Sequence, residues 1–245
     1  TYQSIFPGLF KPMDAMPEEV RAHLRYPVDM FDIQASVYRA YHMQDARVFY
    51  NKEDLWAIPN ENYSGDVNQI DPYYVIMRLP GQEREEFLLM LPFTPTNKNN
   101  AIGWLAARCD GENYGRLLVY QFPKERLIYG PTQIENRIQQ DTAITEQLAL
   151  WSRGGSRVIR GNLLEIPIGD STIYVEGVFL QADTGGLPEL KRVIVAAGDE
   201  IAMRDTLAEC LTAIFGQDAT GGPDTPTPPD VPGGEVPEDV RGLVT

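Results

Sequence analysis

The longest uninterrupted apolar run in the chain is Phe87 to Phe93, seven residues with Pro92 inside it. A membrane-crossing helix needs about 20 apolar residues, so these 245 residues read as a water-soluble unit of short elements. That length can bury a sizeable core. The formal net charge of −14 argues against nucleic acid, whose phosphates need a basic surface, and against anionic headgroups. Residues 217–245 carry −5 of it, from six acids and Arg241. The start, Thr1-Tyr2-Gln3, has no initiator Met and no signal-peptide pattern, and is read as the start of an internal fragment.

Proline and glycine divide the chain. Residues 217–245 contain "ATGGPDTPTPPDVPGGEVPEDV", six prolines and four glycines with no apolar period, which reads as an extended linker. Pro237 with Glu238 and Asp239 then resembles a helix start. Residues 1–216 are expected to form one globular domain. Pro17-Glu18-Glu19 opens a helix. After Pro27, Met30, Ile33, Val37 and Tyr41 fall three or four apart and line one helical face. Asn51 is placed as the cap of a single turn, and "PNENYSGDVNQID" as a solvated loop.

"YYVIMRLP" and "EFLLMLPF" read as neighbouring strands. "NNAIGWLAARCDG" is assigned a helix capped by Asn99 or Asn100 and ended by Gly111, with "GRLLVYQFP" as the next strand. Pro131 opens a long helical pattern with a break near Asp141-Thr142. "LLEIPIG" and "STIYVEGVFLQA" flank a Gly169-Asp170 turn, and "KRVIVAAGDEIAMR" turns at Gly198-Asp199. Asp205 is placed as the cap of a last helix that Gly216 stops. The class is α+β, mostly antiparallel sheets packed with helices.

The phrases "HLRYPVDMFDIQASVYRAYHM", "VFYNKEDLW", "EEFLLMLPFTP", "ARCDGENYGRLLVYQFPKERLIYGPTQIE", "LALWSRGGSRVIRGNLLEIPIG" and "LPELKRVIVAAGDEIAM" resemble the uncharacterised protein family UPF0182. They cover nearly all of residues 5–216. The resemblance implies a large integral-membrane protein with N-terminal transmembrane helices and a domain outside the cytoplasmic membrane, to which this chain would belong. Its partners would be its own transmembrane region and C-terminal segment. The family carries no activity, cofactor or catalytic residue to transfer. Its pattern favours an acid at Val28 and proline at Thr142 and Gly177.

Few residues suggest chemistry. "ARCDGENYG" gathers Cys109, Asp110 and Tyr114. Cys109 would need a base to become a nucleophile, and two acids are too few for calcium. The preferred reading is punctuation, with Gly111 closing a helix. Cys109 and Cys210 leave one disulfide open and cannot make a zinc site alone. His42, next to Tyr41, could work with Asp45. Arg153, Arg157 and Arg160 lie among glycines and could hold an anion, or could pair with Glu165 and Glu176.

The ligand candidates are therefore Tyr41, His42, Cys109, Asp110, Tyr114, Arg157, Arg160 and Glu176, with no metal or cofactor. The expectation is a non-catalytic extracytoplasmic binding or assembly domain with an envelope ligand. The alternatives are a hydrolase or transferase using Cys109 or His42 with Asp110, and a domain that gates or feeds a transporter. A polar largest cleft near His42 or Arg160 would favour chemistry or anion binding.

Overall fold

The computed structural model describes residues 1–63, 66–123, 125–153, 155–168 and 171–216. The linker, the helix start at Pro237 and the Gly169-Asp170 turn lie outside the described residues. The fold is α+β, and every strand pairing among the described residues is antiparallel.

In chain order the helices α1 (Tyr2–Ile5), α2 (Glu18–Arg21), α3 (Val28–Tyr41) and α4 (Ala46–Asn51) come first. Strands β1 (Trp56–Ala57), β2 (Asn60–Tyr63), β3 (Asp66–Gln69), β4 (Tyr73–Arg78), β5 (Glu85–Pro95), β6 (Asn100–Ala101), β7 (Gly103–Arg108), β8 (Leu117–Gln121) and β9 (Ile128–Tyr129) follow. Then come α5 (Pro131–Gln140), α6 (Thr142–Trp151), β10 (Ser156–Arg160), β11 (Leu164–Ile168), β12 (Ser171–Ala182), β13 (Glu189–Ala197), β14 (Glu200–Arg204) and α7 (Leu207–Phe215).

Two five-stranded sheets repeat one plan. In each, a long strand (β5 or β12) carries two short strands along one edge: β1 and β4 in the first sheet, β10 and β11 in the second. Its other edge pairs with the next long-range partner, β7 or β13, which in turn pairs with β8 or β14. Helices precede the strands in both halves.

Pro92 fits this plan. Backbone groups alternate sides along a strand, and the Phe87 and Phe93 carbonyls accept from the β7 side, from Cys109 N and Ile102 N. Position 92 therefore faces the other edge. There β4 pairs only up to Met90 and β1 begins at Thr94, so the missing N–H meets no partner strand.

Side chains of β5 alternate between two cores. Leu89, Leu91 and Phe93 pack with Phe31 and Ala35 of α3, Trp56, Leu105 and Ala107. Leu88 and Met90 pack on the opposite face with Met77, Leu79, Trp104 and Ala106. In the second half, Ile134, Ile138 and Ile144 of α5 and α6 cover Tyr174, Val178, Ile194 and Ala196. Cys210 of α7 covers the reverse face, against Val193, Val195 and Ala202.

Four local readings are corrected. Residues 103–108, read as helix, are strand β7, because burial on both faces removes the period-2 pattern. The cap of α4 is Asp45, accepting from Arg47 N and Val48 N, and Asn51 is its last residue. Thr206, not Asp205, caps α7. The expected loop after Pro59 contains the β2–β3 hairpin. The break at Asp141 is observed, with its carboxylate capping α6 through Ile144 N at 3.0 Å.

Candidate functional site

A cavity of about 700 Å³ forms a cleft on the first half. Three segments form its walls: residues 52–56 between α4 and β1, 95–98 with 100–102 around the end of β5, and 121–123 with 125–127 around the end of β8. The turn of β6 against β9 shapes one end. An added Cβ at Gly130 would sit 2.1 Å from the Asn99 carbonyl oxygen, so only glycine allows that approach. Lys52, Lys98 and Arg126 line the cleft beside Glu53, Asp54 and Glu125, with Asn97 and Gln121 between them.

His42 stands behind the 52–56 wall. Its ring stacks on Trp56, centroids 4.1 Å apart. Its Nδ1 lies 3.0 Å from the Tyr38 carbonyl, which can only accept, so Nδ1 carries the hydrogen. Its buried Nε2 has no hydrogen bond and lies 3.7 Å from Asp54 Oδ2.

A second polar group is buried where the two halves meet. Arg160 on β10 donates through Nε to Glu176 Oε1 at 2.6 Å, and its Nη2 contacts Glu176 Oε2. The same Nη2 lies 2.7 Å from Glu135 Oε2 on α5, an ion-pair contact without hydrogen-bond alignment. Glu61 of β2 reaches across and accepts from Leu163 N at 2.8 Å and Asn162 Nδ2 at 2.9 Å. Glu135 accepts from Asn62 N at 3.3 Å.

Tyr73 of β4 closes the junction. Its hydroxyl donates to the Glu165 carbonyl at 2.7 Å and accepts from Glu165 N at 3.1 Å. The Glu165 carboxyl is fully buried and has no hydrogen-bond partner. Desolvation pushes its pKa up to about 8. The neighbouring Tyr174 hydroxyl tempers that shift, but it gives its own proton to the Tyr129 carbonyl. Burial also raises Glu61, Glu135 and Glu176, against the opposing pull of their donors and of Arg160. This cluster ties β2, β4, α5, β10 and β12 together.

Residues 1–151 match the profile described as "Uncharacterised protein family (UPF0182)". The chain belongs to the UPF0182 family. A UPF0182 protein of Pelotomaculum thermopropionicum is 55% identical over 231 residues, covering 94% of this chain and 25% of that protein. One of Methanospirillum hungatei is 57% identical over 217 residues, covering 88% and 24%. One of Trichodesmium erythraeum is 55% identical over 218 residues, covering 89% and 24%. The chain thus spans about a quarter of the length of these UPF0182 relatives. No solved structure matches it.

The residues singled out in this UPF0182 sequence do not form one site. Cys109 is buried under Tyr26, whose N–H lies 3.4 Å from Sγ, and burial raises the thiol pKa. Cys109 follows strand β7, so Gly111 does not close a helix there. Asp110 Oδ2 accepts from Phe87 N at 2.7 Å, and the Tyr114 hydroxyl donates to the Arg25 carbonyl at 3.3 Å. "ARCDGENYG" is thus a β7–β8 connection that anchors residues 25 and 26. Asp45 is occupied as a cap and is not the partner of His42; Asp54 stands there instead. Arg160 and Glu176 meet at the junction, while Arg157 precedes them on β10. Cys109 and Cys210 are both free and sit in different cores. Tyr41 lies on the outer side of α3, 71% exposed beside Met30, Ile33 and Val37, so the face these four line points outward.

Sequence reasoning offered the Arg160–Glu176 pair but missed the rest of the junction cluster and the cleft. Glu61 and Leu163 are 102 positions apart, and the cleft combines three distant connectors. One signal was readable: Lys52 and Lys98 are two of only five lysines. Among the described residues no group of three or more His, Cys, Asp or Glu is placed to hold a metal ion. No helix among them is long and apolar enough to cross a membrane.

Proposed function

We propose that this chain is a non-catalytic binding and assembly domain of a longer polypeptide, held outside the cytoplasmic membrane by its own transmembrane region. The outer face of α3 carries the reading. Met30, Ile33, Val37 and Tyr41 are half-exposed or more, while Phe31 and Ala35 on the opposite face are buried. Ser36 and Ala40 line the same shallow groove as Ile33 and Val37, and small residues there let another element approach closely. Contiguous exposed apolar surface of this kind marks an interaction site.

The occupant is another segment of the same polypeptide. The chain makes up about a quarter of its relatives' length, so most of the full protein is available to cover the helix. Residues 2–21 add Tyr2, Ile5, Phe6, Leu9 and Phe10, also half-exposed or more, and α1 and α2 bury no residue. The family resemblance supports the transmembrane region and the C-terminal segment as the partners, and the extracytoplasmic side as the location. A hydrolase or transferase on Cys109 and Asp110 has no geometric support, since both side chains hold backbone groups.

The test is thiol labelling of the full-length protein. Both thiols of this chain are buried, so with any cysteine elsewhere in the polypeptide replaced by serine an introduced cysteine reports its own exposure. Ile33→Cys should react with a maleimide at least about tenfold slower than Leu187→Cys, because a covered site labels only when it opens. Equal rates would remove the basis of the reading.

A further inference from the structure

The cleft brings several cations together in one concavity. The chain holds 35 acids against 21 bases. Arg78, Arg108, Arg137, Arg160 and Arg192 each lie against a carboxylate. Lys52, Lys98 and Arg126 line one cleft, all exposed, and among the described residues none of them pairs with an acid. In so acidic a protein, a cleft in which three cations match the three carboxylates of the lining without pairing with any of them stands out.

The acids of the same lining balance them in formal charge but do not pair with them among the described residues. Glu53 Oε1 accepts from the neutral Asn51 Nδ2 at 2.8 Å. Asp54 Oδ2 faces His42 Nε2 at 3.7 Å. Glu125 has no partner among the described residues. Three cations and three carboxylates thus line one cleft without an ion pair between them.

Backbone geometry points the same way. Lys52 sits at φ 55°, the only non-glycine in the left-handed region among the described residues. This C-cap conformation is easier for glycine or asparagine, so a lysine stands there at a conformational cost. Asn97 and Gln121 add amide donors and acceptors, and Trp56, Ile102 and Phe122 supply an apolar wall. The volume of about 700 Å³ suits a small organic molecule.

We infer that this cleft binds a hydroxyl-rich organic anion, a sugar phosphate or a sugar acid. Lys52, Lys98 and Arg126 hold the anionic group by charge-assisted hydrogen bonds. Asn97 and Gln121 take the hydroxyls, and the apolar wall takes a face of the ring.

Titration calorimetry of the 245-residue chain with glucose 6-phosphate, glucuronate and glucose at low ionic strength tests this. At least one anion should bind, with glucose at least about tenfold weaker. Lys98→Gln and Arg126→Gln should each weaken the anion about tenfold while the thermal midpoint stays at the wild-type value. A preference for the phosphate or for the carboxylate then assigns the anionic group. The inference fails if neither anion binds at millimolar concentration or if glucose binds as tightly as its phosphate. It also fails if the Lys98→Gln/Arg126→Gln double variant keeps wild-type affinity.

Discussion

Between β10 and β12 an arginine is hemmed in by two glutamates; beside β5 two lysines and an arginine face open water with no acid bound to them. The two regions belong to halves that share a strand plan. At the junction, desolvation makes an unpaired charge cost several kcal/mol, so Arg160, Glu135 and Glu176 must satisfy one another. In the cleft, water solvates the cations, so they can stay uncommitted until a ligand arrives. Similar scaffolds thus use charge for cohesion in one place and for recognition in another.

The sharpest way to break this contrast is to remove Arg160. Arg160→Met leaves Glu176 and Glu135 buried without their cation, and should cost about 3–5 kcal/mol in urea unfolding. Next is the rim of the cleft: Gly130→Ala drives a methyl into the Asn99 carbonyl and should cost about 1–3 kcal/mol by the same assay. Loss of ligand binding together with that destabilisation would show that the β6–β9 turn shapes the cleft.

Glu165 sharpens the contrast through pH. Its pKa rises from 4.5 to about 8 in the folded protein, so the folded state holds the proton more firmly than the unfolded chain. The stabilisation is complete below pH 4.5 and is lost as pH rises towards 8. Glu61, Glu135 and Glu176 shift in the same direction. Unfolding free energy should therefore fall between pH 5 and 8, and Glu165→Gln should flatten that slope by up to about 1.4 kcal/mol per pH unit. An unchanged slope would place the titration elsewhere. The smallest effect belongs to Lys98→Gln, which should stay within about 0.5 kcal/mol of wild type.

Much of the fold was legible where periodicity and punctuation agree. Pro131, Ile134, Ile138 and Asp141 mark α5, its buried face and the break before α6. Gly198-Asp199 marks the β13–β14 turn. The reading fails where burial follows tertiary context. Ile102, Leu105 and Ala106 suit a helix by spacing, but Leu105 and Ala106 are buried on opposite faces of a sheet. The α3 pattern names the helix and its apolar stripe correctly, but periodicity does not say what covers that stripe, and here it is exposed. Arg160–Glu176 pairing was readable as one option from adjacent strands. The cleft was not, since Lys52, Lys98 and Arg126 sit in three connectors with no shared motif.

The most direct test sets Arg160→Met beside the Lys98→Gln/Arg126→Gln double variant, measuring urea unfolding and glucose 6-phosphate binding on both. The junction variant should lose about 3–5 kcal/mol, whereas the cleft variant should keep its stability within about 1 kcal/mol and lose the anion. An Arg160→Met protein as stable as wild type, or a cleft variant that unfolds while its remaining folded fraction still binds the anion, would contradict this division of labour.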